Sequence, residues 1–198
     1  FITDLLTGKL KDYFTTYPVI ARMVGTITGF WIDAQREFLI RLHQDWPALE
    51  EKFSADQGSL KQITAIKASL SDRHNQGRAG MALRFANDTR LIYKPKPLGM
   101  DAAYSELIDW LNARAVGDPA YLPLRGLAVL DRQEYGWVAF VQHQPVLDEA
   151  WARRYYRRAG QTMALVYAVG GTDFHRDNLI VSGEYPMLVD LEMALGAH

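Results

Sequence analysis

The chain has no cysteine, which excludes disulfides and thiolate zinc sites and makes the reducing cytoplasm the expected setting. It has almost no net charge. Its 22 basic and 23 acidic residues leave a formal −1, which gives no global pull toward nucleic acid or an anionic membrane. No uncharged apolar run approaches the roughly 20 residues a spanning helix needs, and no secretory hydrophobic segment opens the chain. Internal repeats and low-complexity tracts are absent. What remains is an ordinary soluble composition of 198 residues, 48% hydrophobic and 23% charged, enough for one domain or one and a half around a buried core. The chain starts at Phe1 rather than Met and stops at Ala197-His198, so a segment of something longer is expected.

Three parts are expected, 1–66, 67–145 and 146–198. The first reads as helical. Leu5, Leu6, Leu10 and Phe14 recur at helical spacing, Tyr17-Pro18 interrupts them, and Val19 to His43 is rich in apolar and aromatic residues. Pro47 is expected to open a further short helix, since proline is favoured in a first turn. A bundle that packs on something is the plain reading of these stripes. From Arg78 the period changes to that of strands. Arg78–Ala86 and Thr89–Lys94 flank the turn pair Asn87-Asp88, and Pro95 and Pro97 close the second strand. Asp101–Ala115 is an amphipathic helix with Asp101 as its expected cap. Leu127–Leu130 and Gly136–Gln142 form another strand pair. Asp148–Val169 is a long helix stopped by Gly170-Gly171, and 178–181 with 187–191 make a last hairpin. The fold class expected is α+β: an antiparallel sheet with one helix after a helical extension.

The chemistry concentrates near the end. Asn178 stands five residues after Asp173, and Asp190 twelve after Asn178, across a strand–turn–strand. Kinase-type phosphotransferases use an aspartate beside the attacking hydroxyl, an asparagine five positions on, and a second aspartate after a hairpin strand to hold magnesium against nucleotide phosphates. Asp173 would orient or deprotonate a hydroxyl, while Asn178 and Asp190 offer hard oxygens to Mg2+. His175 either meets phosphate or structures the loop, and Asp177 and Glu192 are neighbouring acids. Lys94, at the end of its strand, is the candidate lysine for the phosphates of ATP. Lys96 faces the same side two residues on and competes with it. Glu106 on the next helix is a candidate ion-pair partner for that lysine, against the plain reading of a solvated acid. The segment from Ser71 to Arg78 includes Asp72 and His74 and lies where a phosphate loop would be. It has no GxGxxG, and a polar turn fits it equally well. The cluster Arg153, Arg154, Arg157 and Arg158 is too short for a nucleic-acid patch and reads as a solvated helix face.

Together these stretches resemble the dehydration domain of class II lanthipeptide synthetases. The resemblance rests on Tyr17-Pro18 with its aromatic helix, Ser71-Asp72-Arg73-His74-Asn75, Leu91-Ile92-Tyr93-Lys94-Pro95, Tyr135-Gly136-Trp137-Val138, Gly171-Thr172-Asp173-Phe174-His175 with Asn178, and Leu188-Val189-Asp190-Leu191-Glu192. It covers essentially the whole chain in order. It implies a kinase-like small lobe followed by only the start of a large lobe. The implied enzyme phosphorylates Ser and Thr of a precursor peptide with ATP and Mg2+, then eliminates the phosphate to give dehydroamino acids. It also implies that Lys94 binds nucleotide phosphate, that Asp173, His175 and Asn178 form the catalytic-loop set, that Asp190 is the metal ligand with Glu192 nearby, and that Asp72 and His74 lie over the phosphates.

The family's elimination residues and its cyclase domain fall outside this chain. The segment alone is therefore expected to be inactive, and its partners are the precursor peptide and the rest of a parent synthetase. Two other readings stay open: a kinase-like phosphotransferase without elimination, and a non-catalytic kinase-like module that binds a leader peptide.

Overall fold

A computed structural model describes residues 3, 5–54, 58–68, 76–172 and 176–191. The protein is α+β and divides into two compact units, residues 1–47 with 69–79 and residues 48–68 with 80–198. No helix among the described residues is long and apolar enough to cross a membrane.

The first unit is helical. Helix α1 (Leu10–Thr16) ends at Tyr17, and α2 (Pro18–Phe53) starts at the proline, whose missing N–H costs nothing in a first turn. Ala34, Phe38 and Leu42 recur every four residues on one buried stripe of α2. Arg78 grips Glu37 with paired hydrogen bonds, 3.1 Å from Nε and 2.6 Å from a terminal guanidinium nitrogen, and Arg41 joins from one turn along the helix. Burial opposes the charge on Glu37, but the arginine hydrogen bonds and charges outweigh it and hold the carboxyl below its ordinary range. Contrary to expectation, Pro47 opens no new helix. Helix α2 runs straight through it, losing the hydrogen bond a proline cannot donate, and the division between the units falls there.

The second unit is built on a five-stranded antiparallel sheet of order β1-β2-β3-β5-β4, with β1 Ile63–Lys67, β2 Met81–Phe85, β3 Arg90–Lys94, β4 Val129–Asp131 and β5 Gly136–Ala139. Strand β1 corrects the expectation of helix as far as residue 66. Ile63, Thr64 and Ile66 are β-branched, and the strand pairs with β2 as an exposed edge, with a bulge at Thr64. In β2 and β3 burial alternates with period two: Met81, Leu83, Phe85, Leu91 and Tyr93 point inward. The Asn87-Asp88 turn joins them. The Asn87 side chain accepts from the Thr89 N–H at 3.1 Å, and Asp88 takes a positive φ of 63°.

Helix α3 (Gly99–Arg114) buries Asp101, Tyr104 and Ile108. Helix α4 (Glu149–Ala168) is capped by Asp148, which accepts from the Trp151 N–H at 2.7 Å, and ends at Gly170-Gly171 with hydrogen bonds back to Tyr167 and Val166. A two-stranded hairpin follows, β6 Leu179–Ser182 and β7 Tyr185–Leu188. Its turn residue Gly183 has φ +62, and a Cβ there would sit 2.7 Å from the Trp151 ring. Met187 joins Leu98, Leu127, Val129 and Val138 in one core cluster, and Leu191 joins Tyr104, Ile108 and Leu124 in another. These two clusters pin the hairpin beside the start of α3.

The arginine cluster on α4 is only partly a solvated face. Arg153 is exposed and pairs with Glu149, whereas Arg158 is buried. Arg158 donates to the Pro123 carbonyl at 2.9 Å and stacks over the Tyr185 ring, and Arg154 and Arg158 both pair with Glu184 of the hairpin.

Candidate functional site

Four charged side chains converge where β3 ends, α3 begins and β7 runs out. Lys94 Nζ lies 3.8 Å from Asp101 Oδ1 and 3.7 Å from Asp190 Oδ1. Lys96 donates a hydrogen bond to that same Asp190 oxygen. The order is Asp101, Lys94, Asp190, Lys96, alternating in sign.

Each group is put there by its local sequence. Lys94 closes β3 and pairs in register with Gly136 of β5. A Cβ on Gly136 would lie 2.6 Å from the Leu130 carbonyl oxygen and 2.6 Å from a Leu98 methyl, so only glycine lets β5 pass this closely behind the lysine. Pro95 and Pro97 end strand pairing, leaving Lys96 beyond the sheet with its long side chain turned back to Asp190. Asp190 follows β7 in a left-handed backbone conformation, φ +69, between half-buried Val189 and fully buried Leu191.

Asp101 is the main correction at the site. It caps nothing: α3 starts at Gly99 after Leu98, with no side-chain cap. Asp101 lies three residues before Tyr104 and seven before Ile108, on the helix's buried face, and is 1% exposed. Glu106 lies off that stripe and is exposed. Thus Asp101, not Glu106, is the helix carboxylate beside Lys94.

The electrostatics separate the two acids. Burial pushes Asp101 above the usual carboxylate range, against the pull of Lys94. Burial acts on Asp190 too, but the Lys96 hydrogen bond and the charges of Lys94 and Lys96 overcome it and hold that carboxyl low. Lys94 Nζ and Asp101 Oδ1 are both buried and, among the described residues, have no hydrogen-bond partner. Their separations from neighbouring charges are too long for hydrogen bonds. A pair at this range gains roughly 4 kcal/mol at an effective dielectric of about 20, while burying each ion costs several kcal/mol. The cluster is therefore close to break-even for stability, and its charges stand open to a ligand that completes their bonding.

Asn178, just before β6, is tied by its backbone to the residue preceding Asp190. The Asn178 carbonyl accepts from the Val189 N–H at 2.9 Å, so Asn178 faces the residue just before Asp190. Among the described residues no three His, Cys, Asp or Glu side chains form a ready-made metal cage. Asp190 offers a carboxylate and Asn178 an amide oxygen, the hard donor types that suit an oxygen-seeking cation such as Mg2+ beside phosphate oxygens. Asp72, His74, Asp173, His175 and Glu192 lie outside the described residues. Arg78, which ends the segment where a phosphate loop is expected, is engaged by Glu37. Sequence reasoning missed Asp101 as a site residue and left Lys96 as a mere competitor. The three- and four-residue spacing of Asp101, Tyr104 and Ile108 was the available signal for the first.

A family model described as "Domain of unknown function (DUF4135)" matches residues 17–198. The chain belongs to the DUF4135 family. This DUF4135 domain is also 28% identical, over 194 residues, to the lacticin 481/lactococcin biosynthesis protein LcnDR2 of Lactococcus lactis subsp. lactis. The similarity covers 94% of this chain and 20% of that protein, so the chain spans about a fifth of the length of the curated relative it matches.

Proposed function

We propose that this DUF4135 domain is the nucleotide-binding part of a lanthipeptide synthetase dehydratase, which phosphorylates Ser and Thr hydroxyls of a precursor peptide from ATP before the phosphate is eliminated. The observation that carries the reading is the meeting of Lys94 and Asp190 at 3.7 Å, from elements nearly a hundred residues apart, with Asn178 tied by its backbone to the residue before Asp190. The likeness to a lacticin 481/lactococcin biosynthesis protein and the motif resemblance support the substrate class.

In this reading Lys94 holds phosphate oxygens of ATP, and Asp101 fixes the ammonium of Lys94 from behind. Asp190 and Asn178 hold Mg2+, which neutralises charge on the phosphates when bound. Asp173 accepts the proton of the peptide hydroxyl as its oxygen attacks the terminal phosphorus, and the bond to the bridging oxygen breaks to release ADP. The motif resemblance assigns Asp72 and His74 to the nucleotide phosphates and His175 to the catalytic-loop set. Elimination of the phosphate, and any later ring closure, belong to the remainder of the longer parent protein.

The test is to incubate the full-length protein with a Ser/Thr-rich precursor peptide, ATP and Mg2+ and to weigh the products. Loss of water is expected. A lasting phosphate gain would instead mark a phosphotransferase without elimination. Nucleotide binding with no metal dependence and no product would leave only a peptide-binding module.

A further inference from the structure

Asp101 does more than face Lys94. Its carboxylate also accepts a hydrogen bond from the backbone N–H of Leu191, the residue directly after Asp190. Oδ1 lies toward Lys94 and has no hydrogen-bond partner, so that bond falls on the other oxygen. The left-handed backbone of Asp190, φ +69, is a conformation that persists only where its surroundings hold it. Before it, the Val189 N–H is tied to the Asn178 carbonyl. After it, the Leu191 side chain is enclosed with Tyr104, Ile108 and Leu124. Tyr104 and Ile108 stand on the same face of α3 as Asp101. One short helix face therefore holds Leu191 by its backbone and its side chain, and reaches Lys94 as well. We infer that Asp101 is a positioning residue for Asp190, fixing the turn there through the Leu191 N–H, so that α3 sets Lys94 and Asp190 as one unit. The two tasks use different properties of one side chain. Setting the ammonium of Lys94 needs the negative charge, whereas holding Leu191 needs only an acceptor oxygen. The inference rests on the reading of Asp190 as the metal ligand.

The experiment separates those properties in the full-length protein. Mn2+ affinity is read by electron paramagnetic resonance at saturating non-hydrolysable ATP analogue, and the affinity for the analogue is read separately. Asp101→Asn removes the charge but keeps an acceptor, so it should weaken the analogue while Mn2+ stays within about twofold of wild type. Asp101→Leu and the smaller Asp101→Ala have no acceptor. Each should weaken Mn2+ by about fivefold or more, the low end of what an unpaired buried donor costs. Leu191→Ala should weaken Mn2+ and leave the analogue near wild type. In the wild type and in Asp101→Asn the Leu191 amide should exchange slowly with solvent. Fast exchange of that amide in the wild type overturns the inference without any variant. So does an Asn variant that loses Mn2+ as badly as Leu or Ala, since Asp101 would then act by charge alone, with the metal assignment intact. If Asp190→Asn binds Mn2+ as the wild type does, the metal assignment itself fails, and this inference with it.

Discussion

The two units of this chain use their apolar residues in opposite ways. The sheet unit hides them: Trp137, Phe85, Leu83, Leu91 and Leu98 are all at most 1% exposed. The helical unit displays them. Val19, Met23, Ile27, Trp31, Ile32 and Leu39 along α2 are each more than half exposed. A sheet whose buried faces close on α3 and the hairpin supplies its own core, and it carries a row of closely spaced charges at the end of its central strand β3. A helix with one buried stripe and a second, bare one carries a surface suited to contact with something else.

The sharpest way to break this comparison is at the charges. Asp190→Asn should lower phosphate transfer to the precursor peptide by about a hundredfold or more, the usual scale for losing a group that stabilises transferred charge. The fold should survive, because Lys94 keeps Asp101 at 3.8 Å and Lys96 is partly exposed, so neither ammonium is left buried and alone. A variant that turns over normally would remove the central assignment.

Core substitutions come next. Trp137→Ala should cost about 3–5 kcal/mol in denaturant unfolding, because the indole is wholly enclosed and stacks on Tyr93 with ring centroids 4.9 Å apart. Trp31→Ala on α2 should stay within about 0.5 kcal/mol. Equal losses at the two tryptophans would erase the contrast between the units. Gly136→Ala lies between them. Its methyl meets a backbone carbonyl and Leu98, so a cost of about 1–3 kcal/mol is expected. Because Gly136 pairs with Lys94, that variant should also weaken nucleotide binding beyond what its lost stability explains.

What was legible in the sequence was what is settled within a few residues. The Asn87-Asp88 turn, the Asp148 cap, the Gly170-Gly171 stop and the end of β3 before Pro95 all follow from local chemistry. Strand β1 was obscured because an exposed edge strand shows no alternation, and Pro47 misled because α2 tolerates one missing hydrogen bond. Asp101 looked like a cap because an acid at a helix start usually is one. Its spacing to Tyr104 and Ile108 hinted at the buried face, which tertiary packing then makes plain. Lys96 and Asp190 are 94 residues apart, and no local rule joins them. The spacing of Asn178 and Asp190 did anticipate that hairpin, but not the two lysines meeting there.

The smallest expected effect separates the units by sign. Glu37 in the helical unit has its carboxyl lowered by Arg78 and Arg41, so its ionised form adds stability above the ordinary carboxylate range and loses it as pH falls through the lowered value. Asp101 in the sheet unit is raised by burial, so it favours the fold when protonated and costs stability as pH rises through its raised value. Glu37→Gln should therefore melt earlier than wild type near neutrality and approach it in acid. Asp101→Asn should likewise approach wild type in acid, but deviate in the opposite direction near neutrality, since it deletes a charge that burial disfavours. Melting temperatures of the two variants across the acid range read this directly. Shifts of the same sign would mean that Lys94 compensates Asp101 fully, and that the second unit's carboxylate is a structural ion pair like the first's rather than a charge held ready for a ligand.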